Sequence, residues 1–586
     1  MPPDAHEPSR ADGAQWKAAI DRGTLPLVLA VAVIIWLPRL QGPIDLRWDG
    51  GVYYILGTSL AQGTGYRLLN EPGEIEAVQY PPLLPALVAA SQLALGTSDP
   101  TIVGGWLRYA AFFVFLAYMS LVVRFLRHYL PARSTLVAAL FCLFSLHVYF
   151  LSDLLFPEIL FSLATLVFLL ALRRDETRLA SIGTYLAAVS LYALRTIGTV
   201  AFAVWVLDSL IRRPGDRDPR IRGRFGQAIV RLALVVMAVA AWQAYVASVA
   251  SSHEYSHPAY PYQRAPYMFY NVTYTRNIAL RDPFAPEKGR LSAATLLRRI
   301  GGNALALPAY AGETLSIPRG YLDAWAYPWI GGRPGVASLV SRGAFLSLYT
   351  FGAVFVLGGF ALLLVRGEWK IPLYVALYVA AVCLTPFRAQ SLRYLMPIAP
   401  LLALSLVVSV TTLVDRCSRS PASGAARAVR RGAVGVLALA FVAEVTCCAA
   451  VYAYERGWVS YIDRNGEPVT GRLFYYTDLY RGFDQSIDFV RERAAASDVI
   501  AAGMPHWVHL RTGLKTVMPP FELNAAKAHE LLDSVPVAYM IVGRDVIDSQ
   551  RYMLPVVRQF PARWKAVYAA SAGDWAVYQR VNRRVP

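Results

Sequence analysis

Apolar runs of bilayer-spanning length recur eleven times along this chain, and no other feature restricts its fold so severely. They lie near residues 24–40, 101–123, 134–151, 154–172, 179–194, 196–211, 227–250, 343–365, 371–386, 392–414 and 432–453. A hydrocarbon layer about 30 Å thick is crossed by ~20 apolar helical residues. In lipid, only segments that satisfy their own backbone hydrogen bonds can cross. With 56% hydrophobic and 16% charged residues in 586, the chain reads as an α-helical polytopic membrane protein. A disordered chain, a secreted disulfide scaffold and an ordinary soluble enzyme are excluded. The polar residues 1–23 show no cleavable signal, so they read as a cytoplasmic segment followed by a retained anchor.

A twelfth run, Pro81 to Gly96, has 16 residues, and prolines at 81, 82 and 85. Charge decides how to treat it. The loops 124–133, 173–178, 212–224, 366–370 and 416–431 carry 19 Lys and Arg against 5 Asp and Glu, and basic short loops face the cytoplasm. All five share one side only if residues 81–96 do not span. Residues 24–454 then form the transmembrane domain, with external loops at 41–100 and 251–342, and residues 455–586 lie outside. Most of the net charge of +18 is thereby a topology signal, which excludes nucleic acid as a partner.

Residues 455–586 change character, with 17 basic and 14 acidic residues and no spanning run. Asp484 is placed to cap a helix carrying Phe483, Ile487 and Val490. Short β-type runs follow at 498–502 and 537–542, so this part reads as a soluble α/β domain.

Chemistry is sought at the external face. Tyr53, Leu56 and Leu60 recur at helical spacing, so the segment after Asp49 reads as an amphipathic helix on the membrane surface. Asp49 at its start is open to two readings, an N-cap or a general base at the lipid–water boundary. Arg195 interrupts an apolar stretch of 33 residues at the external side, where a cation suits a departing phosphate; Arg388 and Arg393 flank a further external hairpin. Asp153 and Glu158 bracket the start of the fourth span, where the helix dipole favours acids. Both are able to approach Asp49, and Asp153 is preferred as a second catalytic acid. The tyrosines of 255–274 suit an interfacial belt or sugar stacking. His253-Glu254-Tyr255-Ser256-His257 matches the zinc pattern HExxH, but Pro258 disfavours helix at the second histidine.

An Asp just after the first span, a Tyr four residues on, Tyr80-Pro81-Pro82-Leu83-Leu84-Pro85, Ser152-Asp153 with Glu158, Leu194-Arg195-Thr196-Ile197-Gly198, and Arg393-Tyr394-Leu395-Met396-Pro397 together resemble the GT-C superfamily of polyprenyl-phosphate-sugar-dependent glycosyltransferases. Within it they are similar to the family 39 branch of protein O-mannosyltransferases and lipid A aminoarabinose transferases. The chain departs in having Gly50 where the mannosyltransferases carry Glu, and Gln79-Tyr80 where the aminoarabinose branch carries Glu-Lys. The resemblance implies inverting transfer of a sugar from a polyprenyl phosphate to a hydroxyl of a glycan, lipid or protein acceptor at the periplasmic or external face. Asp49 would be the base, and Tyr53, Tyr80, Glu158, Arg195, Arg393 and Tyr394 would bind substrate. A divalent cation stays open, and no other cofactor is implied. The rival readings are a multi-span transporter or lipid flippase, for which the paired broken helices of two related halves are not seen, a membrane zinc metallopeptidase through His253, Glu254 and His257, and a non-enzymatic scaffold.

Overall fold

The computed structural model describes residues 10–174, 178–211, 221–264, 267–321, 349, 352–419 and 423–581. The expected loops 173–178, 212–224, 251–342 and 416–431, the 343–365 run and residues 1–23 lie in part outside them. Among the described residues, five helices are long and apolar enough to cross a membrane: Arg22–Arg39, Pro100–Leu126, Phe225–Ser251, Arg388–Ser418 and Gly424–Tyr454. Shorter apolar helices include Ala132–Phe144, Ala180–Leu194, Thr196–Leu210, Gly352–Val365 and Lys370–Cys383. Phe113, Ile229 and Val365 turn outward, whereas Trp36, Tyr118 and Trp205 are buried between helices. Large apolar side chains on the outside are what lipid, not water, requires, and the chain is an integral membrane protein.

Local chemistry sets the helix ends. Asp99 accepts hydrogen bonds from the backbone of Thr101 (2.8 Å) and Ile102 (3.1 Å), with Pro100 as the first helical residue, which satisfies amides the helix cannot. The 134–151 run is not one helix but two, Ala132–Phe144 and Leu146–Leu151, separated at Ser145. The Ser145 hydroxyl donates to the Thr314 carbonyl at 2.9 Å.

Residues 41–100 correct an expectation. The helix Asp49–Ala61 does not lie open along a surface: nine of its 13 residues are buried. The helix Leu83–Leu95 covers it, with Gln92 Nε2 donating to Thr58 Oγ1 (2.9 Å) and Tyr54 Oη to the Ser98 carbonyl (3.0 Å). The amphipathic surface role passes to this covering helix, whose Leu87 and Leu93 are exposed. Its 13 residues extend about 20 Å, too short to cross.

The C-terminal part holds a hairpin, β1 (Arg456–Ile462) and β2 (Pro468–Phe474), and a five-stranded sheet. The sheet comprises β3 (Val499–Ala502), β4 (Lys515–Val517), β5 (Val537–Gly543), β6 (Trp564–Ala569) and β7 (Trp575–Arg580), in the order β4-β3-β5-β7-β6. β3 runs parallel to β4 and β5, and β7 antiparallel to β5 and β6. Helices Pro505–Thr512 and Ala525–Ser534 make the parallel crossovers, as parallel strands demand. Asp484 is not a cap: it lies inside the helix Asp478–Arg493 and accepts from Tyr476 Oη (2.6 Å), Trp507 Nε1 (2.9 Å) and Arg511 Nη1 (2.9 Å). A buried carboxylate needs such partners. The domain docks on the 41–100 segment through Asn70, whose carbonyl accepts from the Thr516 amide at 2.7 Å and whose Nδ2 donates to the Thr516 carbonyl at 3.2 Å. This covers the free edge of the sheet.

Candidate active site

Asp49 and Glu158 each open a helix, Asp49–Ala61 and Glu158–Arg173, where the dipole stabilises a carboxylate. Arg195 sits at the tip of a helical hairpin between Leu194 and Thr196. The hairpin closes tightly because residue 198 is glycine: a Cβ there would lie 2.3 Å from the Leu191 carbonyl carbon. Arg393 comes from the short helix Ser391–Leu395, ahead of Ala399–Ser418.

These four side chains form one alternating chain. Arg393 Nη1 donates to Asp49 Oδ2 at 2.8 Å and its Nε to Glu158 Oε1 at 2.5 Å, while Arg195 Nη1 donates to the same Glu158 oxygen at 2.8 Å. Glu158 is fully buried, whereas Asp49, Arg393 and Arg195 keep 22%, 19% and 18% of their side chains exposed. The acid that ties the arginines together is thus sealed off, and the groups able to meet a ligand remain accessible.

Aromatic rings line this chain. Tyr80 Oη donates to Asp49 Oδ1 at 3.3 Å, and the Tyr53 ring meets Tyr80 edge-on at 5.1 Å. Burial first, and the Asp49 charge second, push the Tyr53 and Tyr80 hydroxyls above the ordinary phenol range, so both stay protonated as donors. Tyr394 lies 5.1 Å beneath the Arg195 guanidinium and donates to Gln390 Oε1 at 2.8 Å; Phe156 lies 4.2 Å from the Arg393 guanidinium. Arg388 is exposed and does not join.

The backbone entering Asp49 is strained. Trp48 has φ +56° and ψ −133°, and the Gly50 amide donates to the Arg47 carbonyl at 3.2 Å. These angles fit the first central position of a type II′ turn, a place for glycine. A bulky residue held there costs about 1–3 kcal/mol and persists only when its surroundings over-determine it. Just beyond, the helix presses against the C-terminal domain: a Cβ on Gly51 would lie 2.9 Å from that of His506. Burial holds the His506 imidazole at about 3, hence neutral, and the Tyr270 ring meets it edge-on at 4.6 Å.

Asp153 is not brought to this chain. Its carboxylate accepts from Arg108 Nη1 at 2.8 Å with both side chains buried, and Arg108 also donates to the carbonyls of Arg39 (2.8 Å) and Pro43 (2.6 Å). The pair is a strut for the start of the 41–100 segment. The preference for Asp153 over Glu158 as the second acid near Asp49 is reversed by this geometry, because Arg108 claims the first and Arg393 joins the second to Asp49.

The HExxH segment is placed elsewhere. Its helix, His253–Ser256, ends before His257, the two imidazoles stack at 4.9 Å, and Glu254 accepts from Arg67 Nη1 at 3.0 Å. Asn271, in an Asn-Val-Thr sequence, is buried and braces residues 76–78, accepting from the Val78 amide and donating to the Glu76 carbonyl. Among the described residues no group of three or more His, Cys, Asp and Glu converges as metal ligands. At the four-residue chain each acid gives one oxygen to arginine.

No family model and no curated protein matches the sequence. Solved structures do match. The apo ArnT of Cupriavidus metallidurans aligns with a TM-score of 0.50 at 11% identity, over 96% of this chain and 98% of its own. The oligosaccharyltransferase AglB of Archaeoglobus fulgidus, in complex with an inhibitory peptide and a dolichol-phosphate, aligns with a TM-score of 0.50 at 12% identity, over 97% of this chain and 75% of its own. A second structure of the Archaeoglobus enzyme, with zinc and sulfate, aligns equally at 0.50 and 12%, over 94% and 73%. Identities this low speak for architecture alone. Across nearly its whole length this chain shares the fold of these structures, a GT-C-like membrane architecture.

Proposed function

We propose that this protein is an inverting membrane glycosyltransferase that moves a sugar from a polyprenyl-phosphate donor to a hydroxyl acceptor, with its site on the external side of the membrane. The observation that carries this reading is the Asp49–Arg393–Glu158–Arg195 chain, in which an accessible carboxylate stands one guanidinium away from an accessible pair of cations. Support also comes from the fold, and from AglB having been seen with dolichol-phosphate. Residues 24–454 are the membrane-embedded part in this reading, and residues 455–586 the external domain.

The donor phosphate engages Arg195 and Arg393, and the arrival of its charge draws Arg393 from Asp49. The freed carboxylate takes the proton of the acceptor hydroxyl. The acceptor oxygen attacks the anomeric carbon on the face opposite the phosphate, the sugar–phosphate bond breaks, and the polyprenyl phosphate departs with the electron pair. Both guanidiniums neutralise the charge that grows on its oxygens, an interaction worth more in the transition state than in the ground state. Glu158 keeps the two arginines converged. Tyr53, Tyr80 and Tyr394 shape the pocket wall and exclude water from the reacting centre.

The test is transfer by the purified full-length protein from a panel of radiolabelled undecaprenyl-phosphate hexoses and pentoses, comparing wild type, Asp49→Asn and Arg195→Ala. Transfer by wild type and its loss in both variants is the expected result. Equal transfer by all three removes the assigned roles.

A further inference from the structure

We propose that Arg47 and Trp48 form a clamp through which the C-terminal domain sets the position of Asp49; the inference rests on the reading of Asp49 as the base. Three observations meet here. The first is the Trp48 backbone, which holds a left-handed conformation immediately before Asp49. The hydrogen bond from the Gly50 amide to the Arg47 carbonyl closes the turn around Trp48, and the packing of the Trp48 ring holds the turn in place.

The second is what packs. The Trp48 ring is held edge-on by Tyr480 at 5.8 Å and by Phe150 at 6.3 Å, and the Arg47 guanidinium lies 4.6 Å from it. That guanidinium also lies 4.5 Å from the Tyr480 ring, so indole, cation and phenol form one cluster. Tyr480 belongs to the C-terminal domain, and Phe150 to the membrane-embedded body.

The third is how Arg47 is tied. It is buried, and its Nε and Nη2 grip Asp45 in a forked pair, Nη2 to Oδ2 at 2.7 Å. The same Nη2 donates to the Phe474 carbonyl at 2.7 Å, at the end of strand β2. Asp45 is pinned in turn, its carbonyl accepting from the Leu155 amide at 3.2 Å, three residues before Glu158. One guanidinium therefore joins the C-terminal domain, the strained turn and, through Asp45, the segment that leads to Glu158. A planar fork does this and a point charge does not. Arg47 and Trp48 are positioning residues: they touch no reacting atom and act through the placement of Asp49.

The test uses full-length protein in detergent and undecaprenyl phosphate as the probe, because binding of the lipid phosphate competes with Asp49 for Arg393. Wild type, Asp49→Asn, Trp48→Gly and Tyr480→Leu are compared, together with each clamp variant combined with Asp49→Asn. Glycine suits the turn, so Trp48→Gly removes the ring without opposing the backbone, and Tyr480→Leu reaches the same clamp from the other domain. Asp49→Asn is expected to tighten binding about fivefold, each clamp variant by a comparable factor, and the combinations no further than Asp49→Asn alone. Amide exchange over residues 47–53 should rise in both clamp variants. If Asp49→Asn tightens binding while both clamp variants bind as wild type, or if the effects simply add, the clamp is overturned and the reading of Asp49 survives. If Asp49→Asn leaves binding unchanged, that reading falls, and the exchange rates alone then decide whether the clamp holds the turn.

Discussion

Two acid–arginine groups lie within a few residues of each other at one end of the helical body, and they are built for opposite purposes. Asp153 and Arg108 are 2% and 1% exposed and pair one to one, with the spare donors of Arg108 spent on backbone carbonyls. Asp49, Arg393, Glu158 and Arg195 share partners in series, and only Glu158 is sealed. Both balance carboxylates and guanidiniums in equal number. What differs is whether each charge has a private partner. A sealed private pair is out of a ligand's reach and holds a loop in place, whereas a shared, accessible guanidinium can be redirected.

The largest effect that sharpens this contrast belongs to Asp49→Asn, expected to lower kcat by about 10²–10⁴-fold while the thermal midpoint stays near that of wild type. Arg195→Ala follows, with a loss of about 10²–10³-fold in kcat from the missing charge on the departing phosphate; single-turnover kinetics separate this from weakened donor binding. Asp153→Asn inverts the pattern, costing about 3–5 kcal/mol of stability by stranding Arg108, with turnover per folded molecule retained. Should Asp153→Asn instead lose turnover at unchanged stability, the contrast between strut and site is broken.

A smaller effect concerns Glu71, at the junction of the 41–100 segment with the C-terminal domain. Burial pushes its carboxyl up to about 8 from an ordinary 4.5, although Gln263 and Asn70 donate to it. The unfolded carboxyl ionises from about pH 4.5 upward while the folded one keeps its proton to about 8, so raising the pH across that window favours unfolding. The thermal midpoint of wild type should fall from pH 5 to 8 more steeply than that of Glu71→Gln. The smallest change is expected for the exposed Arg388→Ala, with kcat within about twofold of wild type.

Much of this was written plainly in the chain. The apolar runs announce the helices because lipid punishes any alternative, and the interruption at Arg195 marks a cation that is indeed paired with Glu158 at a helix hairpin. Asp49 at a helix start is legible as a position, but its pairing with Arg393, 344 residues away, is not. The GT-C resemblance supplied Arg393 where local pattern offered only one arginine among three. The fate of Asp153 had a signal in Arg108, one of two charges in the Pro100–Leu126 helix and the one away from its last turn, where Arg124 lies, since a buried charge in a membrane helix needs a counter-ion. Burial of the Asp49–Ala61 helix was hidden because periodicity reports one apolar face and is silent on whether a second helix covers the other. The conformation of Trp48 leaves no trace in sequence at all, because tertiary packing imposes it against local preference.

The alternation of two carboxylates with two guanidiniums has a consequence for turnover. Their formal charges cancel, so a lipid phosphate enters a neutral nest whose cations are already half spoken for. In the proposed reaction the spent carrier is the most anionic species in the cycle, and Glu158 at once, and Asp49 once it has shed the acceptor's proton, compete to reclaim the arginines from it. A site with unopposed cations would keep the empty carrier as an inhibitor; one with this built-in rivalry ejects it and resets for the next sugar.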